Sequence, residues 1–141
     1  MNRVKIKFPD KIIFSTEVTI SIADINYGGH LGNDKFLTLM HEARLRWFKS
    51  IGFKNEKDIV PPVGIIVADA AIQFKAEAFH GDILTIELAV ENISRNSFDM
   101  LYKLMNQDRK LVALGKTGVV CFNYVEAKVA AIPGELVQYL K

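Results

Sequence analysis

Cysteine is nearly missing: Cys121 is the only one in 141 residues. A lone thiol excludes an internal disulfide framework and fits a reducing compartment. Histidine is sparse too, and His30, His41 and His80 show no ligand spacing with Cys121, so no metal site is expected. An excess of one charge is lacking. Eighteen basic against 16 acidic residues leave a formal net charge of +2, and the basic residues are scattered. That pattern gives no support to nucleic acid as a partner. No stretch approaches the roughly 18 consecutive apolar residues of a membrane span. The first nine residues, Met-Asn-Arg-Val-Lys-Ile-Lys-Phe-Pro, hold no apolar run of signal-peptide length. The glycine fingerprint of nucleotide-binding folds does not occur. Linkers, repeats and low-complexity segments are also missing. The expectation is a soluble cytoplasmic protein with no membrane partner and no bound cofactor, folded as a single domain over residues 1–141.

What is present is a core and one unusual loop. Apolar residues make up 50% of the chain, enough for a real interior. Residues 24–34 read Asp-Ile-Asn-Tyr-Gly-Gly-His-Leu-Gly-Asn-Asp, and a long amphipathic segment follows at once. Asp24, Asn26, His30, Asn33 and Asp34 thus surround Gly28, Gly29 and Gly32. A helix start offers unpaired N–H groups and a partial positive charge. Glycines let a ligand approach that backbone closely. The loop therefore suits an anion, or a carbonyl becoming one.

The periodicity orders the elements. Residues 12–22 are rich in β-branched types, with Val18, Ile20 and Ile22 alternating with polar partners, as in a half-buried strand. Residues 33–50 switch to helical spacing through Phe36, Leu37, Met40, Ala43, Trp47 and Phe48. Asn33 or Asp34 suits the N-cap, and Gly52 is placed to end the helix. Pro61-Pro62 marks a boundary. Strands are then expected over 64–75, 83–93, 98–105 and 111–124, with a short helix from Pro133 carrying Leu136 and Leu140 on its apolar side. Strand, long helix and four strands joined by short turns describe an α+β fold, an antiparallel sheet around one central helix.

Three separated motifs carry a resemblance. The loop Asp24–Asn33 is similar to Asp-x-Asp-x-x-Gly-His-Val-Asn-Asn, Glu42-Ala43-Arg44 matches a Glu-Ala-Arg on the helix, and Ile72–Asp82 resembles a strand ending in Gly-Asp. Over residues 12–140 the chain resembles the hot-dog acyl-CoA thioesterases, the 4-hydroxybenzoyl-CoA thioesterase type among them. The resemblance implies hydrolysis of an acyl-CoA thioester, with coenzyme A present only as part of the substrate. It implies a short- to medium-chain or aromatic acyl group, and pairing into dimers or tetramers with sites at the interface. An exposed sheet edge points to self-association as well.

One departure matters. The family's usual carboxylate is the second aspartate of the loop motif, and that position is Asn26 here. An amide is a very poor base. Asp24 shares a face with position 26 in extended backbone. Asp34 opens the helix. Glu42 follows eight residues later, a little over two turns on, and some hot-dog thioesterases use a helix carboxylate. His30 can act as base or orient substrate. The candidate catalytic residues are Asp24, Asn26, His30, Asp34 and Glu42, and the candidate substrate-binding positions are Gly29, Gly32 and Asn33. Each has a plainer reading: Asp24 as a turn cap, Asp34 as a first-turn acid, Glu42 as a partner of Arg46. Lys75, Arg95 and Lys116 are candidates for the phosphates of coenzyme A. Two other readings remain open, a hydratase of the MaoC type on the same fold and a protein that binds acyl-CoA without turnover.

Overall fold

In the computed structural model, which describes residues 1–141, the chain runs β1 (Phe14–Thr19), α1 (Asn33–Ser50), β2 (Val63–Phe74), β3 (Ile83–Glu91), β4 (Ser97–Met105), β5 (Leu111–Asn123), β6 (Lys128–Val129) and α2 (Gly134–Leu140). All pairings are antiparallel, in the order β1-β3-β4-β5-β2, and β6 extends the sheet beside the end of β5. The expected hot-dog arrangement of one sheet and one long helix is what the chain adopts. No helix is long and apolar enough to cross a membrane.

Helix α1 lies on the sheet through Phe36, Leu39, Met40, Ala43, Trp47 and Phe48, all buried. Leu39 takes the place expected for Leu37, which is 43% exposed. Phe98, Met100, Tyr102 and Leu104 of β4 alternate inward to meet the helix, as a pleated strand requires. The helix comes close to the sheet at Gly115 of β5, where an added Cβ would overlap the Met40 sulphur. The helix ends as expected, Gly52 adopting φ +99 and donating its N–H to the Lys49 carbonyl.

Under the helix runs a polar chain. Arg44, only 5% exposed, donates from Nε to Glu56 and from Nη1 to the Tyr102 hydroxyl, which meets Thr117 Oγ1 at 2.8 Å. Burial opposes the charge on Arg44, but Tyr102 and the Glu56 carboxylate hold its pKa above the ordinary value. Burial pushes the Tyr102 phenol up, so it stays neutral. This chain ties α1 to the 51–62 loop and to two central strands. Residues Val4–Lys7 cross the other face of the sheet, with Ile6 N–H donating to Gln73 Oε1.

β2 is an edge strand. It pairs only with β5, over Val63 to Phe74, with a bulge between Val67 and Asp69. Its exposed C-terminal end leads to the segment that faces the glycine-rich loop.

Candidate functional site

Two anchors hold the loop. At its start, β1 stops at Thr19, earlier than the alternation to Ile22 suggests. Ile20 is buried and exchanges backbone hydrogen bonds with Asp82 and Gly81, while Ile22 is 74% exposed in a 3-10 turn over Ile22–Asp24. At its end, Leu31 N–H donates to Ala78 O at 2.8 Å. The loop is therefore pinned to the β2–β3 connection, more than forty residues away in sequence.

Within the loop the polar side chains divide their tasks. The Asp24 carboxylate accepts from the Ser21 N–H and hydroxyl, capping the 3-10 turn. Asn26 Oδ1 accepts from Gly28 N–H at 2.9 Å and more loosely from His30 N–H at 3.4 Å, and the Asn26 N–H donates to His30 O. Asn26 thus closes the turn that carries His30. Gly29 needs its glycine, with φ +86.

The N-cap of α1 is Gly32 rather than Asn33 or Asp34, and no side chain caps it. Gly32 is buried, and Asp34 in the first turn bends its carboxylate back over it, where the helix dipole favours negative charge. The first amides of α1 have no intrahelical partners.

Beside this helix start lies a cavity of about 190 Å³. Leu31, Phe36, Phe74 and Ala76 form its apolar wall, with the Phe36 and Phe74 rings edge to face at 5.1 Å. His30, Asn33, Lys75 and Glu77 form its polar wall. His30 Nδ1 lies 3.2 Å from Leu31 O. A carbonyl can only accept, so Nδ1 is the donor in this contact, and in the tautomer with its single proton there Nε2 is an acceptor. Nε2 points toward Glu77, with Oε1 4.0 Å away.

Of the residues expected from sequence, His30 and Asn33 line this cavity, Gly32 starts the helix beside it, and Asp24 and Asn26 hold the loop. Glu42 sits elsewhere. It accepts from Arg46 Nε at 2.6 Å and lines a separate recess with Thr38, His41 and Leu45. Of the candidate phosphate contacts, Lys75 lines the cavity, whereas Lys116 is engaged by Asp69 at 2.7 Å and Asp99 at 3.5 Å. His41 is 57% exposed beside Glu56. Cys121 is fully buried, and burial pushes its thiol up to about 11, so it is inert. Glu77 was not among the sequence candidates. Its one signal was an acid inside the Ile72–Asp82 motif, close to a strand end.

A profile of the thioesterase-like superfamily matches residues 20–140, nearly the whole chain. The chain belongs to that superfamily. The 1,4-dihydroxy-2-naphthoyl-CoA hydrolase of Microcystis aeruginosa is 31% identical over 126 residues, 88% of this chain and 90% of the relative. The acyl-CoA thioester hydrolase YbgC of Escherichia coli is 20% identical, over 92% of this chain and 96% of its own. Among solved structures, the 1,4-dihydroxy-2-naphthoyl-CoA thioesterase of Synechocystis superposes with a TM-score of 0.82 at 26% identity, covering 90% of this chain and 94% of its own. The superfamily's name describes thioester chemistry.

Proposed function

We propose that this member of the superfamily hydrolyses an acyl-CoA, releasing a free acid and coenzyme A. The observation that carries the reading is the cavity between His30 and Glu77, bounded by the uncapped start of α1. Hydrolysis needs a polarised carbonyl and an activated water. The amides of the first helical turn, Asn33 foremost, are the donors for the developing oxyanion. His30 is the group that acts on the water side. The wall of Leu31, Phe36 and Phe74 accepts the acyl group, and its edge-to-face aromatic pair suits an aromatic or a short- to medium-chain acyl. Lys75 offers a positive charge to the phosphates of coenzyme A. Asp24 and Asn26 act by shaping the loop.

The open β2 edge, with Val67 43% exposed, supports pairing of two copies into a dimer or a tetramer. A cytoplasmic location fits the free thiol.

The test is release of free thiol from a panel of aryl- and alkanoyl-CoAs, run beside hydration of crotonyl-CoA. Thiol release from one or more acyl-CoAs, with no loss of the crotonyl double bond, is the expected outcome. Hydration without thiol release would assign the cavity to a hydratase instead. Tight acyl-CoA binding with neither reaction would make the protein a carrier.

A further inference from the structure

We propose that Glu77 is the general base of this hydrolysis, replacing the aspartate that Asn26 displaces, and that His30 holds the attacking water with it. The proposal rests on the thioesterase reading above.

The position of Asn26 explains why a substitute is needed. Its Oδ1 is occupied by two backbone amides of its own loop, and an amide cannot take up a proton at neutral pH. Asp24 is committed to Ser21, and Glu42 to Arg46 in another recess. Glu77 is the one carboxylate among the residues that line the cavity. Its side chain is 66% exposed and has no short ion pair, so the carboxylate is available.

The geometry between Glu77 and His30 is specific. Oε1 and Nε2 are 4.0 Å apart, too far for a direct hydrogen bond. In the tautomer that places the single proton on Nδ1, facing Leu31 O, Nε2 and Glu77 Oε1 are both acceptors. Two acceptors at this separation fit one water that donates a hydrogen to each. Such a water keeps a lone pair free to point at a thioester carbon beside the helix start.

The step balances without a further reactant. The water oxygen bonds to the thioester carbon as Glu77 takes one of its protons. The carbonyl oxygen becomes an oxyanion at the amides of α1. Collapse breaks the C–S bond, and the departing thiolate takes the proton back from Glu77. The products are the free acid and the thiol, with Glu77 again a carboxylate.

The backbone placement of Glu77 is independent of its charge. It precedes Ala78, whose carbonyl receives Leu31 N–H, so the two walls are fixed to each other. Replacing the carboxylate by an amide therefore preserves the fold.

The experiment compares wild type, Glu77→Gln and Glu77→Asp by thiol release, with kcat and KM measured separately and thermal unfolding as a control. The expected result is a fall of about 100-fold or more in kcat for Glu77→Gln, with KM and melting temperature nearly unchanged, and partial recovery in Glu77→Asp. Wild-type turnover with Glu77→Gln within threefold of it would overturn the role of Glu77 while leaving the thioesterase reading intact. A wild type that frees no thiol from any acyl-CoA would overturn the thioesterase reading, and the role of Glu77 with it.

Discussion

Arg44 and Glu56 are joined beneath the central helix, Nε to Oε1 at 2.9 Å, with the arginine side chain 6% exposed and the glutamate 17%. The second arm of the same guanidinium reaches Tyr102 at 3.0 Å. The Glu-Ala-Arg motif thus divides: Ala43 and Arg44 face inward, and Glu42 faces out. Arg44→Ala would take the arginine from a half-buried carboxylate and leave the Tyr102 phenol with Thr117 alone. The expected cost is about 1–3 kcal/mol, read from urea unfolding. Arg44→Lys should recover only part of it, since an ammonium cannot serve Glu56 and Tyr102 in the same fork. A loss below about 1 kcal/mol for the alanine variant would remove the pair from the list of structural ties.

Gly115 sets the distance between α1 and the sheet. Gly115→Ala places a methyl against the buried Met40 sulphur, and the expected destabilisation is about 1–3 kcal/mol. Shortening the partner, as in Gly115→Ala with Met40→Val, should return part of that loss. Non-additivity of the pair in unfolding experiments is the check.

Asn26 closes the turn that carries His30. Asn26→Ala removes the acceptor for the Gly28 and His30 amides, and kcat/KM should fall about tenfold as His30 loses its seat. Asn26→Asp keeps an acceptor and should remain within a few-fold of wild type in both activity and melting temperature. Equal damage from both substitutions would show that the amide's N–H₂ group, and not its oxygen, is what the loop requires.

Cys121 gives a pH dependence with a definite sign. Burial raises its thiol from 9.0 to about 11, so the unfolded chain loses this proton first. Between these values the native state binds more protons than the unfolded one, and stability falls as pH rises. The contribution is fully present below pH 9 and is lost progressively toward pH 11. Cys121→Val should flatten the alkaline limb of a stability–pH curve. Thiol reagents at pH 8 should label Cys121 only after unfolding, which also keeps the protein silent in a thiol-release assay.

The architecture was legible because its signals are local. Helical spacing over 33–50 delimits α1 to the residue, and alternation and turns mark four strands. The errors are local too. Ile22 continues the alternation of β1 but opens a carboxyl-capped 3-10 turn, and the two-residue β6 is too short to leave a pattern. The candidate site was half legible. His30 and Asn33 lie on the loop that the glycines advertise. Glu77 comes from the β2–β3 connection and faces His30 where Leu31 N–H binds Ala78 O, a long-range contact that no periodicity encodes. Nor does sequence show that the oxygens of Asp24 and Glu42 are taken by Ser21 and Arg46.

The account stands or falls on which of two recesses carries the chemistry, the one at His30 or the one at Glu42. The most direct measurement is kcat/KM for thiol release by His30→Ala and Glu42→Ala on the best acyl-CoA of the panel. The account predicts a loss of about 100-fold for His30→Ala and a change within about threefold for Glu42→Ala. The reverse pattern, with Glu42→Ala inactive and His30→Ala unimpaired, would contradict it and move the active site to the outer face of α1.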